Sequence, residues 1–216
     1  MPKVKIPRKS TTIDMTAMCD VAFLLLSFFI LATKQKPPEV LAVATPSSIS
    51  STAVPDKSII ITLTKDGRAF LMLGDETKKS EILSNINSTR SLGLSAPELN
   101  KWGKEQFIGL PLNQIKSSLA SSPIPADRMP GIPTDSTNNE MADWMRSITN
   151  VYAGGDQSKL EKMILVKGDN AALYPVFKNI KEAFKKADIY KFRIVTNGKT
   201  IPTDSEVYLE AKAKNK

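Results

Sequence analysis

Residues 13–34 read IDMTAMCDVAFLLLSFFILATK, and this stretch decides how the whole chain is organised. At 1.5 Å per residue, residues 13–33 would form about 31 Å of helix, which matches the hydrocarbon thickness of a bilayer. The span reaches that length only if the carboxylic acid Asp20 lies inside it, and no Lys or Arg stands beside Asp20. The stretch therefore predicts a membrane helix over residues 13–34 that contains an uncompensated acid.

The residues before this helix predict its orientation. Residues 1–12 carry only basic charges, at Lys3, Lys5, Arg8 and Lys9. Basic residues before a first span place the N-terminus in the cytoplasm, so the rest of the chain is expected on the far side. The small residues 42–44 lie too far beyond the apolar block for signal-peptide cleavage, and Cys19 precedes that block rather than following it. We therefore predict an uncleaved, single-span anchor.

Helical spacing places Thr16, Asp20, Phe23 and Ser27 on one stripe, at separations of four, three and four residues. A carboxylate at membrane depth costs about 2.5–3.5 kcal/mol on insertion scales, so it should face protein or water rather than lipid. Since this stretch supplies one helix, other subunits would have to shelter the acid. The alternative is that Asp20 lies at the headgroup level and merely marks the end of the helix.

The composition of the chain excludes several functions. The 216 residues include one Cys and no His, with a formal charge of +8. Without His there is no imidazole base or metal ligand, and we find no G-x-S-x-G and no phosphate-binding glycine loop. We predict no enzymatic activity, cofactor or metal, with a carboxylate hydrolase as the one enzyme class left open. The scattered Lys residues favour a solvated surface, since the sequence shows no nucleic-acid-binding motif.

Beyond the membrane helix, the hydrophobic pattern predicts a small α/β domain over residues 58–198. Residues 35–57 are rich in Pro, Ser and Thr, which favours an extended linker. A β-hairpin turns at Asp66-Gly67, and a helix capped by Ser80 follows. Residues 163–166 read as a buried strand, residues 173–187 as an amphipathic helix with Pro175 in its first turn, and residues 190–196 as the last strand. The order β-β-α-β-α-β predicts an α+β fold with two layers and helices on one face.

Residues 92–158 interrupt this order. They contain six prolines, both tryptophans and three short helical patterns, and we interpret them as a large insertion packed on the domain. Alternatively, Trp102 or Trp144 anchors a partner protein, since Trp is enriched among interface hot spots. Residues 199–216 are expected to form a solvated C-terminal tail.

Two parts of the chain resemble the ExbD/TolR family. Thr16, Asp20 and Val21 match the membrane motif of that family, although Ala17 stands where the family has Pro. Residues 163–197 are similar to its closing strand–helix–strand, and residues 57–76 resemble its opening hairpin. By position, the resemblance covers about residues 1–90 and 160–198.

The resemblance implies an α+β periplasmic domain on a bacterial inner-membrane helix, in a Gram-negative envelope. It also implies a motor subunit that works as a homodimer inside a ring of ExbB-like subunits. Proton flow through the membrane acid, Asp20 here, would drive a TonB-like protein that opens outer-membrane transporters. Thr16 belongs to the same motif, and the helical stripe adds Ser27 to the proton-translocation site. A TolR-like role in envelope integrity and a passive, membrane-anchored periplasmic binding module are the alternatives.

Overall fold

The computed structural model describes residues 15–32, 41, 43–49, 52–55, 57–121, 124–153 and 157–199. The chain forms two compact units that divide between residues 39 and 40. The first unit contains helix α1, Met15–Ala32. The predicted cytoplasmic segment 1–12, residues 13–14 and 33–34 of the predicted span, and the tail from residue 200 onward lie outside the described residues.

The second unit is built around a four-stranded sheet in the order β3-β2-β4-β5. Its strands are β2 (Ile59–Leu63), β3 (Ala69–Leu73), β4 (Ile164–Gly168) and β5 (Arg193–Ile194). β2 pairs antiparallel with β3 and parallel with β4, which pairs parallel with β5. Gly67, at φ 78°, closes the β2–β3 hairpin where a left-handed backbone favours glycine. A separate parallel pair joins β1 (Ser47–Ser48) to β6 (Asn197–Gly198).

Helices supply the second layer. Their bounds are α2 Glu76–Thr89, α3 Ala96–Gly103, α4 Leu112–Ala120, α5 Glu140–Tyr152, α6 Gln157–Met163 and α7 Tyr174–Lys186, with a 3-10 turn at Ala126–Arg128. α7 turns Ile180, Ala183 and Phe184 toward the core and carries Pro175 in its first turn, as the sequence predicts. The α+β class and the predicted order of strands and helices are confirmed.

Two local predictions are wrong. α2 begins after Asp75, whose carboxylate accepts a hydrogen bond from Thr77 N, whereas Ser80 lies inside the helix and donates to Thr77 O. Asp75 directly follows the turn after β3, so the helix starts five residues earlier than a Ser80 cap would place it. The last strand is also shorter than residues 190–196, because only Arg193 and Ile194 pair with β4.

The described parts of residues 92–158 contribute side chains to the core of the second unit. α5 contacts both α2 and α7. Trp102 and Trp144 are 4% and 0% exposed, and their rings meet edge to face at 5.5 Å. Neither side chain is accessible, so the alternative in which one of them anchors a partner is wrong.

The same region also covers the β3 edge of the sheet. Leu71 and Ile108 exchange two backbone hydrogen bonds, and Ile132 N donates to Ala69 O, all at 2.8 Å. An uncovered edge strand invites pairing with another chain. At Ala69 and Leu71 these contacts occupy backbone groups that a foreign strand would need.

Candidate functional site

Helix α1 carries every residue that the sequence predicts for the site. Its 18 residues contain no Gly or Pro, and their mean hydropathy is 2.2. At 1.5 Å per residue it is about 27 Å long. By length and composition, it is therefore able to span a membrane.

The surface of α1 is unsuited to water. None of its residues is buried, and Phe23 is 71% and Leu31 87% exposed. Large contiguous apolar surfaces mark places where a protein meets a membrane or another protein. The apolar side chains of α1 therefore require lipid or other subunits around them.

The structure brings Thr16, Asp20, Phe23 and Ser27 onto one face of α1. At 100° per residue these four positions lie within an arc of about 60°, and they extend along about 16 Å of the helix. Leu24, Leu25, Phe28 and Phe29 lie on the side of the helix away from these positions. We call the set Thr16, Asp20 and Ser27 the polar stripe.

The polar stripe contains one carboxylic acid and two hydroxyl side chains at different depths along α1. Ser27 Oγ donates to Leu24 O at 2.9 Å, so its proton is satisfied within the helix while its lone pairs can accept another hydrogen bond. No Lys or Arg forms an ion pair with Asp20 in the described part of the chain. Thr16 lies one turn before Asp20, nearer the start of α1. The stripe thus combines one titratable acid with two hydroxyl groups.

Cys19 adjoins Asp20 in sequence but lies outside the stripe. Its thiol is exposed. Since successive residues are turned by about 100° around a helix, Cys19 faces a different direction from Asp20. Cys19 therefore offers a matched neighbour for substitution.

Shifted titratable groups in the second unit are explained by local structure. Hydrogen bonds from the Ser95 backbone and side chain lower the pKa of Glu98, which closes the capping box of α3. The hydrogen bond from the Thr77 side chain lowers the pKa of Asp75 at the start of α2. Burial lowers the pKa of Lys79, whose Nζ donates to Glu105 O. Glu98 and Asp75 cap helices and Lys79 joins α2 to the segment after α3, so these three shifts follow from local structure.

Cavities in the second unit are small or open. An enclosed cavity of about 40 Å³ is lined mainly by apolar residues, including Trp102, Phe107 and Met129, with Lys101 and Glu105 at its wall. No group of three or more potential metal ligands occurs among the residues that the structure describes. Sequence reasoning missed one polar residue of this unit, Asp169, whose carboxylate accepts a hydrogen bond from the backbone of Ala44. The sequence signal for this residue was weak, because an Asp directly after a strand is common in turns.

One N-terminal apolar helix followed by a separate α/β unit defines a class of membrane-anchored proteins. The family model described as biopolymer transport protein ExbD/TolR matches residues 7–199, nearly the whole chain. The chain therefore belongs to the ExbD/TolR family. No curated protein and no solved structure matches it.

Membership fixes the general role of the protein. Members of this family are inner-membrane proteins associated with biopolymer transport, and they are not enzymes. They work with partners of the ExbB/TolQ and TonB/TolA types. This chain is accordingly a transport-related membrane protein.

Proposed function

We propose that this protein is an ExbD-type motor subunit driven by the proton-motive force, with Asp20 as the proton carrier. In this role it energises TonB-dependent transport across the outer membrane. The observation that carries the proposal is an acid with no ion-pair partner among the described residues, inside a helix that is mostly apolar. An ionisable residue within a membrane helix is by default a candidate for function, because placing it there costs free energy.

The exposure of α1 supports an assembly around it. Its apolar surface and Asp20 both need cover, and the described chain supplies one candidate span. We infer that ExbB-like ring subunits and a second copy of this protein provide that cover, as a homodimer within a ring.

The energetics suit a motor. A proton that crosses the membrane potential releases about 2.3 kcal/mol per 100 mV. That energy is comparable to the cost of about 2.5–3.5 kcal/mol for placing a charged carboxylate at membrane depth. Protonation and deprotonation of Asp20 can therefore switch which surroundings the helix prefers. We assign Thr16 and Ser27 to the same proton path, as hydroxyl groups beside the acid.

The proposed orientation follows from the charges around the helix. Residues 1–12 remain in the cytoplasm, and the α/β unit lies in the periplasm, where it acts on a TonB-like protein. The four basic residues before α1 support this direction.

Substitution of Asp20 tests the proposal. Asp20→Asn preserves the size of the side chain but cannot titrate, and we expect gradient-dependent uptake through outer-membrane transporters to fall at least 100-fold. Asp20→Glu retains an acid and should keep part of the activity. Cys19→Ala, on the neighbouring position, is the matched control and should leave uptake unchanged. Normal uptake by Asp20→Asn, at equal membrane abundance, would refute the proton-carrier role.

A TolR-type role in envelope integrity is the second candidate, because the matching family description covers both types. The two roles differ in the proteins that accompany the subunit. Co-purification with a TolQ-like ring and a TolA-like protein, rather than with ExbB-like and TonB-like ones, would assign the TolR-type role. If the protein were instead a passive, membrane-anchored binding module, replacing residues 13–34 by an unrelated apolar helix would leave its function intact.

A further inference from the structure

A short segment before the α/β sheet is tied onto the domain. Ala44 N donates to Asp169 Oδ2 at 3.1 Å, and Asn170 N donates to Ala44 O at 2.8 Å. Further along, Asn197 N donates to Pro46 O and Lys199 N donates to Ser48 O, both at 2.9 Å. We call Leu41 together with residues 43–48 the strap.

An apolar contact fixes the beginning of the strap. Leu41 is 8% exposed and packs with Phe70, Ala126 and Met129 in a cluster separate from the main core. The strap is thus held by one buried side chain at its start and by backbone hydrogen bonds along the rest. Residues 43–48 lie within the segment that the sequence predicts as a linker.

The hydrogen-bonded part of the strap should open at a low free-energy cost. Of the residues that make the backbone hydrogen bonds, Ala44, Asn170, Asn197 and Lys199 are exposed, and Pro46 and Ser48 are half-buried. The β1–β6 pairing is two residues long, whereas β2 and β4 pair over five. Short pairings with exposed hydrogen bonds open at far lower free energy than a buried strand pair does.

Docking of the strap changes the length of chain that is free between α1 and the domain. With the strap docked, residues 33–40 connect the two, and fully extended they reach about 30 Å. Release of the whole strap, including withdrawal of Leu41 from its apolar cluster, extends the connection to about residue 57, and fully extended it then reaches about 85 Å. Release therefore increases the maximal reach of the domain nearly threefold.

We propose that the strap is a releasable restraint that sets how far the α/β domain can travel from its membrane helix. Docked, it keeps the domain on a short tether; released, it lets the domain reach a partner farther from the membrane. The consequence for activity rests on the proposed motor function, whereas the docking itself does not. Asp169 is the positioning residue, since it is the side chain that accepts a hydrogen bond from the first hydrogen-bonded strap residue, Ala44.

The two carboxylate oxygens of Asp169 accept hydrogen bonds from different segments. Oδ2 accepts from Ala44 N in the strap, and Oδ1 accepts from Ala171 N within its own turn at 2.9 Å. Asp169→Asn can keep the bond to Ala171 while presenting an NH₂ group to the Ala44 N–H. This substitution therefore opposes strap docking and leaves the turn able to form.

Hydrogen exchange on the full chain in detergent tests the docking. In Asp169→Asn, amide exchange at residues 44 and 197 should accelerate at least fivefold, while the amides of β2 and β4 stay unchanged. Unchanged exchange at residues 44 and 197 would overturn the role of Asp169. This measurement needs no transport activity, so its outcome is independent of whether Asp20 carries protons.

A reversible cross-link tests the need for release. Ser47 and Asn197 are register partners in the parallel pair, where a strand separation of about 4.8 Å falls within the Cα range of disulfides. In a Cys19→Ser background, S47C/N197C should lower gradient-dependent activity at least tenfold when oxidised, with recovery on adding a reductant. The control I60C/M72C joins register partners of the β2–β3 hairpin and leaves the strap free.

The outcomes separate the two proposals. Full activity of the oxidised S47C/N197C variant would overturn the need for release, and so would a loss that reductant does not reverse. Failure of the motor proposal has a different signature, namely normal activity in Asp20→Asn with the strap uncrosslinked. A tenfold loss confined to the oxidised strap pair supports the inference.

Discussion

Truncation of Trp144 tests whether residues 92–158 belong to the core. The side chain, on α5, is fully buried and meets Trp102 edge to face at 5.5 Å. Its Nε1–H lies away from water and has no hydrogen-bond partner within the described residues. Two opposing effects therefore act at this position: extensive ring packing stabilises the fold, and an unsatisfied donor destabilises it.

The two effects predict different results for two substitutions. Trp144→Ala removes the packing and should destabilise the domain by about 3–5 kcal/mol, the usual range for a buried aromatic residue. An edge-to-face pair contributes about 0.5–1.5 kcal/mol beyond burial, and that contribution is included in the loss. Trp144→Phe retains an aromatic ring and removes the unsatisfied donor, which by itself costs about 1–3 kcal/mol. The smaller ring leaves a cavity, so we expect Trp144→Phe to change the stability by no more than about 1 kcal/mol.

Urea unfolding of the full chain in detergent measures both values. Trp102 and Trp144 are the two tryptophans of the sequence, so Trp102 reports unfolding of the α/β unit in either variant. If Trp144→Ala costs less than about 1 kcal/mol, α5 is not an integral part of the core. If Trp144→Phe lowers the free energy of unfolding as much as Trp144→Ala does, the unsatisfied donor does not destabilise the fold, which contradicts the prediction.

Three further predictions concern the packing and the helix ends of the same unit. Gly109→Ala places a Cβ against the fully buried Phe70 ring and should destabilise the α/β unit by about 1–3 kcal/mol in urea unfolding. Gly168→Ala is the control, because a Cβ at that position meets nothing within 4 Å. The buried Oε2 of Glu140 accepts a hydrogen bond from Leu112 N at 2.8 Å, at the start of α4. Glu140→Gln weakens this bond and should lower the free energy of unfolding by about 1–2 kcal/mol in the same assay. An unchanged free energy of unfolding would mean that the charge of Glu140 does not contribute. The pKa of Glu98 is lowered in the folded state, so the unfolded state binds more protons at acidic pH, and the stabilisation present at neutral pH is lost as pH falls through that lowered pKa. The urea midpoint should therefore drop below about pH 4.5, less steeply in Glu98→Gln, and equal slopes for the two proteins would contradict the assignment.

Much of this structure could be predicted from local sequence. The hairpin at Asp66-Gly67, the buried strand before Gly168 and the apolar face of α7 follow from turn chemistry and hydrophobic period, which act over a few residues. The polar stripe of α1 follows in the same way, because helical spacing alone determines which residues share a face. The start of α2 was less determined, since both Asp75 and Ser80 are good caps and only the turn after β3 selects Asp75.

The sequence by itself determined an apolar helix with an acid in it and the order of strands and helices behind it. Tertiary structure alone decided that both tryptophans are buried, that Ile108 and Ile132 pair with the β3 edge, and that the strap docks beside Asp169. The physical reason is separation along the chain: Ala44 and Asp169 are 125 residues apart, and so distant a hydrogen bond leaves no periodic trace in either segment. Such contacts exist only once the sheet has brought the two segments together.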